Sequence, residues 1–521
     1  MEAHALVVEK AEFVAAREKF EAVAERLRSN EVLAMTHGEL EALIEPEGRE
    51  VMRLLMQDHL CLRSEQEPLR PSVSGTDGVV RTHRREHERP LMTVFGPVVV
   101  SRTAYGARGS ASLHPLDAQL NLPEETYSHG VRRRVAEEVA RGAYEEAIAS
   151  LAKNTGAEVP KRQAEQLAAR AAMDFEAFYA ARRAVSPTEE ARSGGLVVLT
   201  SDGKGVPMRK EHLREATRVA AEKAQHKLTK RLSKGEKNHR KRMATVASVY
   251  TLVPTVRTAE NVIAEFKPVK DAARSRPRPE RKRVWACIEK EVEPVIGDVF
   301  SEAIRRDPLR QKQWVALVDG NRTQLDIFDK LAKDFGVELT TILDVIHVIE
   351  YLWKASWAFH REGDPAAEAW VSERLLAVLQ GKSSEVAGGI RRSATLRRLR
   401  GDRRKSADKC AGYLVKYRRY LRYDEYLAAG MPIATGVVEG ACRYLVKDRL
   451  EVTGAHWSVT GAEAVLRLRS LRASGDFDAY WRFHLKQERQ RNHDAHYATP
   501  IAGPAPRAAA RARAGHLRVV K

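Results

Sequence analysis

Cysteine is scarce in this chain: four residues in 521 (Cys61, Cys287, Cys410 and Cys442), widely separated and with no Cys-x-x-Cys spacing. That excludes a disulfide framework and a cysteine zinc site. No apolar run approaches the ~18 residues a membrane span needs. The start, Met1-Glu-Ala-His, lacks the basic segment and apolar stretch of a secretory signal, so a cytoplasmic protein is expected. Aromatic residues are few, at 6%, but hydrophobic residues reach 43%, which excludes a disordered chain and suffices for several buried cores at this length.

Acidic residues are also in deficit, 70 against 89 Lys plus Arg, for a net charge of +19. The excess is uneven. Residues 1–200 carry net −5, 201–290 net +14, 291–390 net −6 and 391–521 net +16. One basic run is ordinarily a solvated face, but two dense blocks, the second with tryptophan and tyrosine, point to a polyanion such as nucleic acid. Contacts of this kind hold phosphates and set register without reading sequence.

Apolar periodicity predicts helices over Val7–Leu27 and after Thr36-His-Gly-Glu39, a capping sequence. Pro68–Gly78 reads as a linker, and Leu91–Tyr105 as a hairpin turning at Gly96-Pro97. Residues 128–183 are helical. A helix ends at Gly156 and another begins after Val159-Pro160, which is the outline of a helix–turn–helix with Lys161, Arg162 and Gln163 near the start of the reading helix. An ordinary αα-hairpin fits the same periodicity. From Gly194, apolar runs at 196–201, 244–253, 314–318 and 339–343 predict strands alternating with helices, hence an α/β domain with a mixed or parallel sheet. Residues 350–430 look wholly helical, with a basic cluster at 391–405, and Pro500–Lys521 is an Ala/Arg/Pro tail. The expected divisions are residues 1–66 (helical), 67–127 (linker and hairpin), 128–192 (helical, DNA-binding), 193–475 (α/β with a helical insertion at about 350–430) and 476–521 (basic tail, partly disordered).

Two apolar strands each run into an acid and a glycine, Leu199-Thr-Ser-Asp202-Gly and Leu317-Val-Asp319-Gly. Open sheets place their sites at the carboxyl ends of strands. A third acid, Glu439, opens a helix between Gly436 and Gly440. Strand-end Asp-Gly is also a common turn, and an acid in a first helical turn is favoured by the macrodipole alone. The ordered set within a basic chain argues instead for carboxylates holding hard divalent cations, Mg²⁺ or Mn²⁺. Asp344 ends a further apolar strand and competes with Asp319 for the second position. The glycine after Asp319 favours Asp319.

Four blocks, Thr200-Ser-Asp-Gly-Lys-Gly-Val-Pro-Met208, Val315-Ala-Leu-Val-Asp-Gly320, Leu343-Asp-Val-Ile-His-Val-Ile-Glu-Tyr-Leu-Trp353 and Thr435-Gly-Val-Val-Glu-Gly-Ala-Cys-Arg443, together resemble bacterial insertion-sequence transposases of the Kra type. These are relatives of Mutator-like transposases in the DDE, RNase H-like superfamily, and the resemblance covers roughly residues 85–475. It implies an RNase H-like core of mixed sheet and flanking helices, with a helical insertion before the helix bearing the Glu. It also implies catalytic, metal-holding acids at Asp202, Asp319 and Glu439, with two Mg²⁺ (or Mn²⁺) ions. Asp344 and His347 match an auxiliary Asp-x-x-His element; a helix-start histidine bonded to Asp344 is the plainer reading. Tyr105 is followed by Gly-Ala-Arg-Gly-Ser, without the cysteine pair of many members, so no zinc-stabilised amino-terminal module is expected.

The implied function is cleavage of double-stranded DNA at transposon ends and joining of the 3′-hydroxyls to target DNA, by a homodimer or higher oligomer on the DNA, in the bacterial cytoplasm with the nucleoid. Lys161, Arg162, Gln163, Lys204, Arg443, Lys447 and Arg449 are the expected DNA contacts. Trp457 is a candidate for stacking on an unpaired base, although a tryptophan is ordinarily core. A domesticated, non-catalytic DNA-binding protein and a nuclease of the same fold without strand transfer are the open alternatives.

Overall fold

The computed structural model describes residues 13–184, 194–224, 228, 233, 239–265, 278–452 and 454–501. The start of the first expected helix, parts of the basic block 201–290 and the tail from 502 lie outside these residues. Among the described residues no helix is long and apolar enough to cross a membrane.

The chain forms two compact units, one of residues 1–174 with 478–521, the other of 175–477. In the first, α1 (Val14–Leu27) packs on α2 (His37–Glu65). Thr36 and Glu39 form the expected capping box, the Thr36 amide donating to Glu39 Oε2 at 2.8 Å. An antiparallel sheet follows, β1 (His83–Thr93), β2 (Gly96–Ala107) and β3 (Ser110–Leu113). The β1–β2 turn falls at Val94-Phe95, just before the expected Gly96-Pro97. Three mutually packed helices complete the segment, α3 (His129–Val139), α4 (Tyr144–Asn154) and α5 (Lys161–Ala171). Gly156 between α4 and α5 lies against the β1–β2 turn, where a Cβ would stand 2.3 Å from the Phe95 carbonyl oxygen.

The second unit is built on five strands, β4 (Leu196–Pro207), β5 (Lys241–Leu252), β6 (Glu280–Cys287), β7 (Gln313–Val318) and β8 (Leu339–Leu343). Their spatial order is β8-β7-β4-β5-β6. The β4–β5 and β5–β6 pairs are antiparallel, while β4–β7 and β7–β8 are parallel. The sheet is therefore mixed, with its parallel half on the side of the candidate acids. Between the strands lie α6 (Phe175–Ala184), before the sheet, α7 (Val292–Arg306) and α8 (Arg322–Asp334). After β8 come α9 (Val345–Ser356), α10 (Pro365–Leu379), α11 (Ser383–Leu396) and α12 (Gly401–Lys416), the helical stretch expected at 350–430. Then α13 (Gly436–Ala441) returns to the sheet, and α14 (Val459–Ser474) covers β6.

Strand β6 is absent from the sequence reading, since Glu280-Arg-Lys-Arg283 resembles linker. It forms because its edge is satisfied from two sides. Buried Glu302 on α7 accepts Arg283 at 3.0 Å and Arg306 at 2.9 Å. On the open edge, alternate amides of Val284, Ala286 and Ile288 donate to Ser474, Ser470 and Glu463 of α14 at 3.1, 3.3 and 2.8 Å. A helix thus closes a sheet edge that would otherwise expose a row of donors.

A second correction concerns the C-terminal region. Residues expected to begin a tail form α15 (Phe477–Asn492), which belongs to the first unit. Its buried Glu488 meets Arg132 of α3 at 2.5 Å, and its buried His484 meets Asp174 at 2.7 Å.

Candidate functional site

Strand β4 pairs with β7 only as far as Thr200, opposite Leu317. Asp202 comes two residues later, where that edge of β4 is released. It is not a strand-end turn as the Asp-Gly pair suggested: β4 continues through Asp202, opposite Val246 of β5, to Pro207. The antiparallel partner keeps the strand going after the parallel one stops. Asp202 Oδ1 accepts the Gly203 amide at 2.6 Å, and Oδ2 accepts the thiol of Cys442 at 3.2 Å.

Asp319 directly follows β7. Its Oδ1 accepts the Asn321 amide at 2.8 Å, and Asn321 in turn caps α8. Gly320 has φ +87°, a left-handed conformation that lets the chain turn off the sheet. The turn is held from the insertion, where Tyr417 donates to the Gly320 carbonyl at 2.8 Å.

Asp344 follows β8 and caps α9. It is fully buried, and its amide donates to the Val318 carbonyl at 2.9 Å. Both its carboxylate oxygens are engaged, Oδ1 by the Ile346 amide at 3.0 Å and Oδ2 by the Thr435 hydroxyl. Burial holds this carboxyl above its usual range despite those bonds. Thr435 is the residue that precedes α13, so Asp344 anchors the start of the helix that carries Glu439.

Glu439 is exposed, and single ligand atoms of Asp344, His347 and Glu439 all lie within 4.8 Å of one another. The Glu439 carboxyl is held above its usual range by desolvation first and then by the Asp344 charge, with His347 opposing and Asp202 adding to the rise. Four of the predicted residues, Asp202, Asp344, His347 and Glu439, therefore share one electrostatic neighbourhood. Asp319 stands at the next strand end. Its charge and that of Asp344 both reach Tyr413 of α12, whose phenol is raised chiefly by burial.

The helix bearing Glu439 continues as a π-helical turn, Cys442–Lys447, packed against β4. Such widened turns recur at functional sites. Here it carries Cys442 to Asp202, and the thiol is raised by burial first and then by Asp202. Lys204 also acts on Cys442, which places this expected DNA contact beside the acids. The carbonyls of Tyr444 and Leu445 in the turn accept Arg469 Nε from α14 at 3.1 and 3.0 Å. Burial and the Arg449 and Arg472 charges push Arg469 down to about 10. Cys442, Tyr413 and Arg469 carried no signal in the sequence. Arg469→Met is expected to cost ~1–3 kcal/mol of stability, because two buried carbonyls lose their donor. Denaturant unfolding checks this, and loss below ~0.5 kcal/mol is the opposite result.

Among the expected DNA contacts, Lys161, Arg162, Arg443 and Lys447 are exposed, while Gln163 and Lys204 are half-buried. Lys161 pairs with Glu145, and Arg443 lies 3.7 Å from Asp448. Arg449 and Trp457 do not present themselves to a ligand. Both are buried, with the guanidinium 4.9 Å from the indole centroid and the indole donating to the Leu450 carbonyl at 3.0 Å. Their apolar and stacking surfaces are spent inside the fold. The basic cluster of the insertion borders a shallow, open groove at the α11–α12 corner, lined by Arg400, Arg404, Lys405 and Lys409 together with Asp408, which pairs with Arg404 at 2.8 Å.

No family model matches the chain, and no curated protein matches it. Among solved structures, the Drosophila P element transposase strand transfer complex is similar over 66% of this chain and 80% of that one, at 10% identity and a TM-score of 0.22. This is a distant likeness, too low in TM-score to equate the two backbones.

Proposed function

We propose that the chain is a metal-dependent DNA transposase with an RNase H-like core. The observation that carries this reading is the sheet order β8-β7-β4-β5-β6, in which Asp202 within β4 and Asp344 after β8 act on Glu439 of the helix that returns after a helical insertion, with Asp319 at the end of the intervening β7. The donor set fits divalent cations. It is rich in carboxylate oxygens suited to Mg²⁺ or Mn²⁺, and the rise that the Asp344 and Asp202 charges add to the Glu439 carboxyl is a repulsion a cation relieves. Asp202, Asp319 and Glu439 would hold it. Asp344, with both oxygens already bonded, positions Thr435 and the Glu439 helix, and His347 flanks Glu439. A bound cation supplies Lewis acidity at the scissile phosphate.

The chain's own residues do the rest. Exposed Arg443 and Lys447, on the turn after Glu439, hold phosphates beside the cut. Water attacks the phosphodiester, leaving a 3′-hydroxyl and a 5′-phosphate. That hydroxyl then attacks a target phosphodiester, forming one new bond and releasing one target 3′-hydroxyl, with no covalent enzyme intermediate. Residues 128–183 bind the element's ends, and the groove at Arg400, Lys405 and Lys409 holds flanking or target duplex. Purified protein with labelled end DNA, a target plasmid and Mg²⁺ is expected to yield joined products. Cutting without joining would make it a nuclease, and binding without cutting a non-catalytic binder.

The groove makes its own prediction. Each phosphate neutralised steepens the logarithmic salt dependence of DNA binding by ~0.9. Substituting Arg400, Lys405 and Lys409 by Gln is expected to flatten the slope by about 2–3. A slope equal to wild type would mean the groove faces away from DNA.

A further inference from the structure

Among the described residues of the second unit several buried polar side-chain atoms lack a hydrogen-bond partner, and the Tyr413 hydroxyl is the one that lies against the Asp319-Gly320 turn. Tyr413 lies on α12, inside the helical insertion, and is 8% exposed. Its ring stacks on Tyr351 of α9 at 3.9 Å between centroids, which fixes its position. Its hydroxyl, fully enclosed, has no hydrogen-bond partner among the described residues. An orphaned buried hydroxyl is destabilising, and its persistence calls for a reason.

The surroundings supply one. A Cβ placed on Gly320, the residue after Asp319, would stand 3.7 Å from the Tyr413 oxygen and 3.6 Å from Cζ of Tyr417. Tyr417, one turn along α12, already pins the Gly320 carbonyl. The insertion therefore lays two tyrosines on the Asp319-Gly320 turn. One is spent on the backbone, and the other carries an unsatisfied donor facing the neighbourhood of Asp319. In contrast, the Asp344 carboxylate has both oxygens occupied.

We propose that Tyr413 is a positioning residue for the acidic site, donating its hydroxyl to the Asp319 carboxylate when that carboxylate turns to hold a divalent cation. This rests on the reading of Asp319 as a cation-holding residue. Docking of the insertion on the sheet and cation binding at Asp319 are then coupled through one hydroxyl. An outer-shell partner of this kind changes cation affinity by ~10–100-fold.

The test uses the full chain without DNA, with Mn²⁺ alone as the probe, followed by loss of the free-ion electron paramagnetic resonance signal. Tyr413→Phe keeps the stacked ring and removes only the orphan oxygen. Its melting temperature in chelator is expected to equal or exceed wild type, while its Mn²⁺ affinity falls at least about tenfold. A lowered metal-free melting temperature with unchanged Mn²⁺ affinity would mean a structural role and overturn the proposal. Asp319→Asn separates the two levels. If it binds Mn²⁺ as wild type does, Asp319 is no ligand and both readings fall. If it loses affinity while Tyr413→Phe keeps it, only the Tyr413 proposal falls.

Discussion

Asp202→Asn is expected to abolish DNA cleavage, by more than about 1,000-fold, with DNA binding nearly intact. The amide preserves shape and still accepts the Cys442 thiol, but it loses the charge that holds a hard cation. Asp319→Asn is expected to match it. Asp344→Asn should fall in the ~10–100-fold range of groups that orient rather than ligate. It should also cost stability, because asparagine keeps one acceptor oxygen where the Ile346 amide and the Thr435 hydroxyl each have their own. Single-turnover cleavage of end DNA in Mg²⁺ and in Mn²⁺ gives the ranking. An inactive Asp344→Asn beside an active Asp319→Asn would reverse the assignment and make Asp344, His347 and Glu439 the ligands.

The largest loss of stability is expected in the first unit. Arg132 is fully buried and meets Glu488 at 2.5 Å, Glu125, and the His484 ring at 3.1 Å, while His484 meets Asp174. Removing one partner of such a pair strands the other charge, and Arg132→Met is expected to cost ~3–5 kcal/mol. The interaction also sets a pH dependence. Although burial opposes it, Arg132 pulls the Glu488 carboxyl down to about 2, below its unfolded value of 4.5. The unfolded chain therefore takes up the proton first. This contribution is fully present above about pH 5 and fades as pH falls towards 2. Denaturant midpoints between pH 7 and pH 3 should drop more in wild type than in Arg132→Met. Parallel lines would mean the pair does not govern acid stability.

Much of this arrangement was legible from residues alone, and the exceptions have physical causes. The apolar runs at 196–201, 244–253, 314–318 and 339–343 became strands because strands of a sheet covered on both faces bury consecutive residues, as the antiparallel β5 does from Ala244 to Leu252. The Thr36–Glu39 capping signal also matched its helix. Strand β6 escaped because four charged residues open it and its edge is satisfied by hydroxyls 184–190 residues away on α14. Asp202-Gly203 read as a turn because the local sequence does not reveal which neighbouring strand ends first. Arg449 looked like a phosphate contact, since a guanidinium's burial depends on finding an indole such as Trp457. Among the candidate acids, Asp202, Asp319, Asp344 and Glu439 each had a local signal. Their company, Cys442, Tyr413 and Arg469, is set by tertiary packing and had none.

The first unit's return at α15 has a consequence for biosynthesis. The chain leaves that unit at Asp174 and re-enters it at Asp478, so the part made first is completed last. At ~5–20 residues per second, the 356 residues separating Arg132 from Glu488 keep it without that partner for about 20–70 s. During that interval the nascent helices α3 to α5 expose a surface shaped for a helix not yet made, a natural target for chaperones. The charge that α15 finally delivers arrives after the entire α/β unit has been translated, so the first unit is completed only once the second has been made.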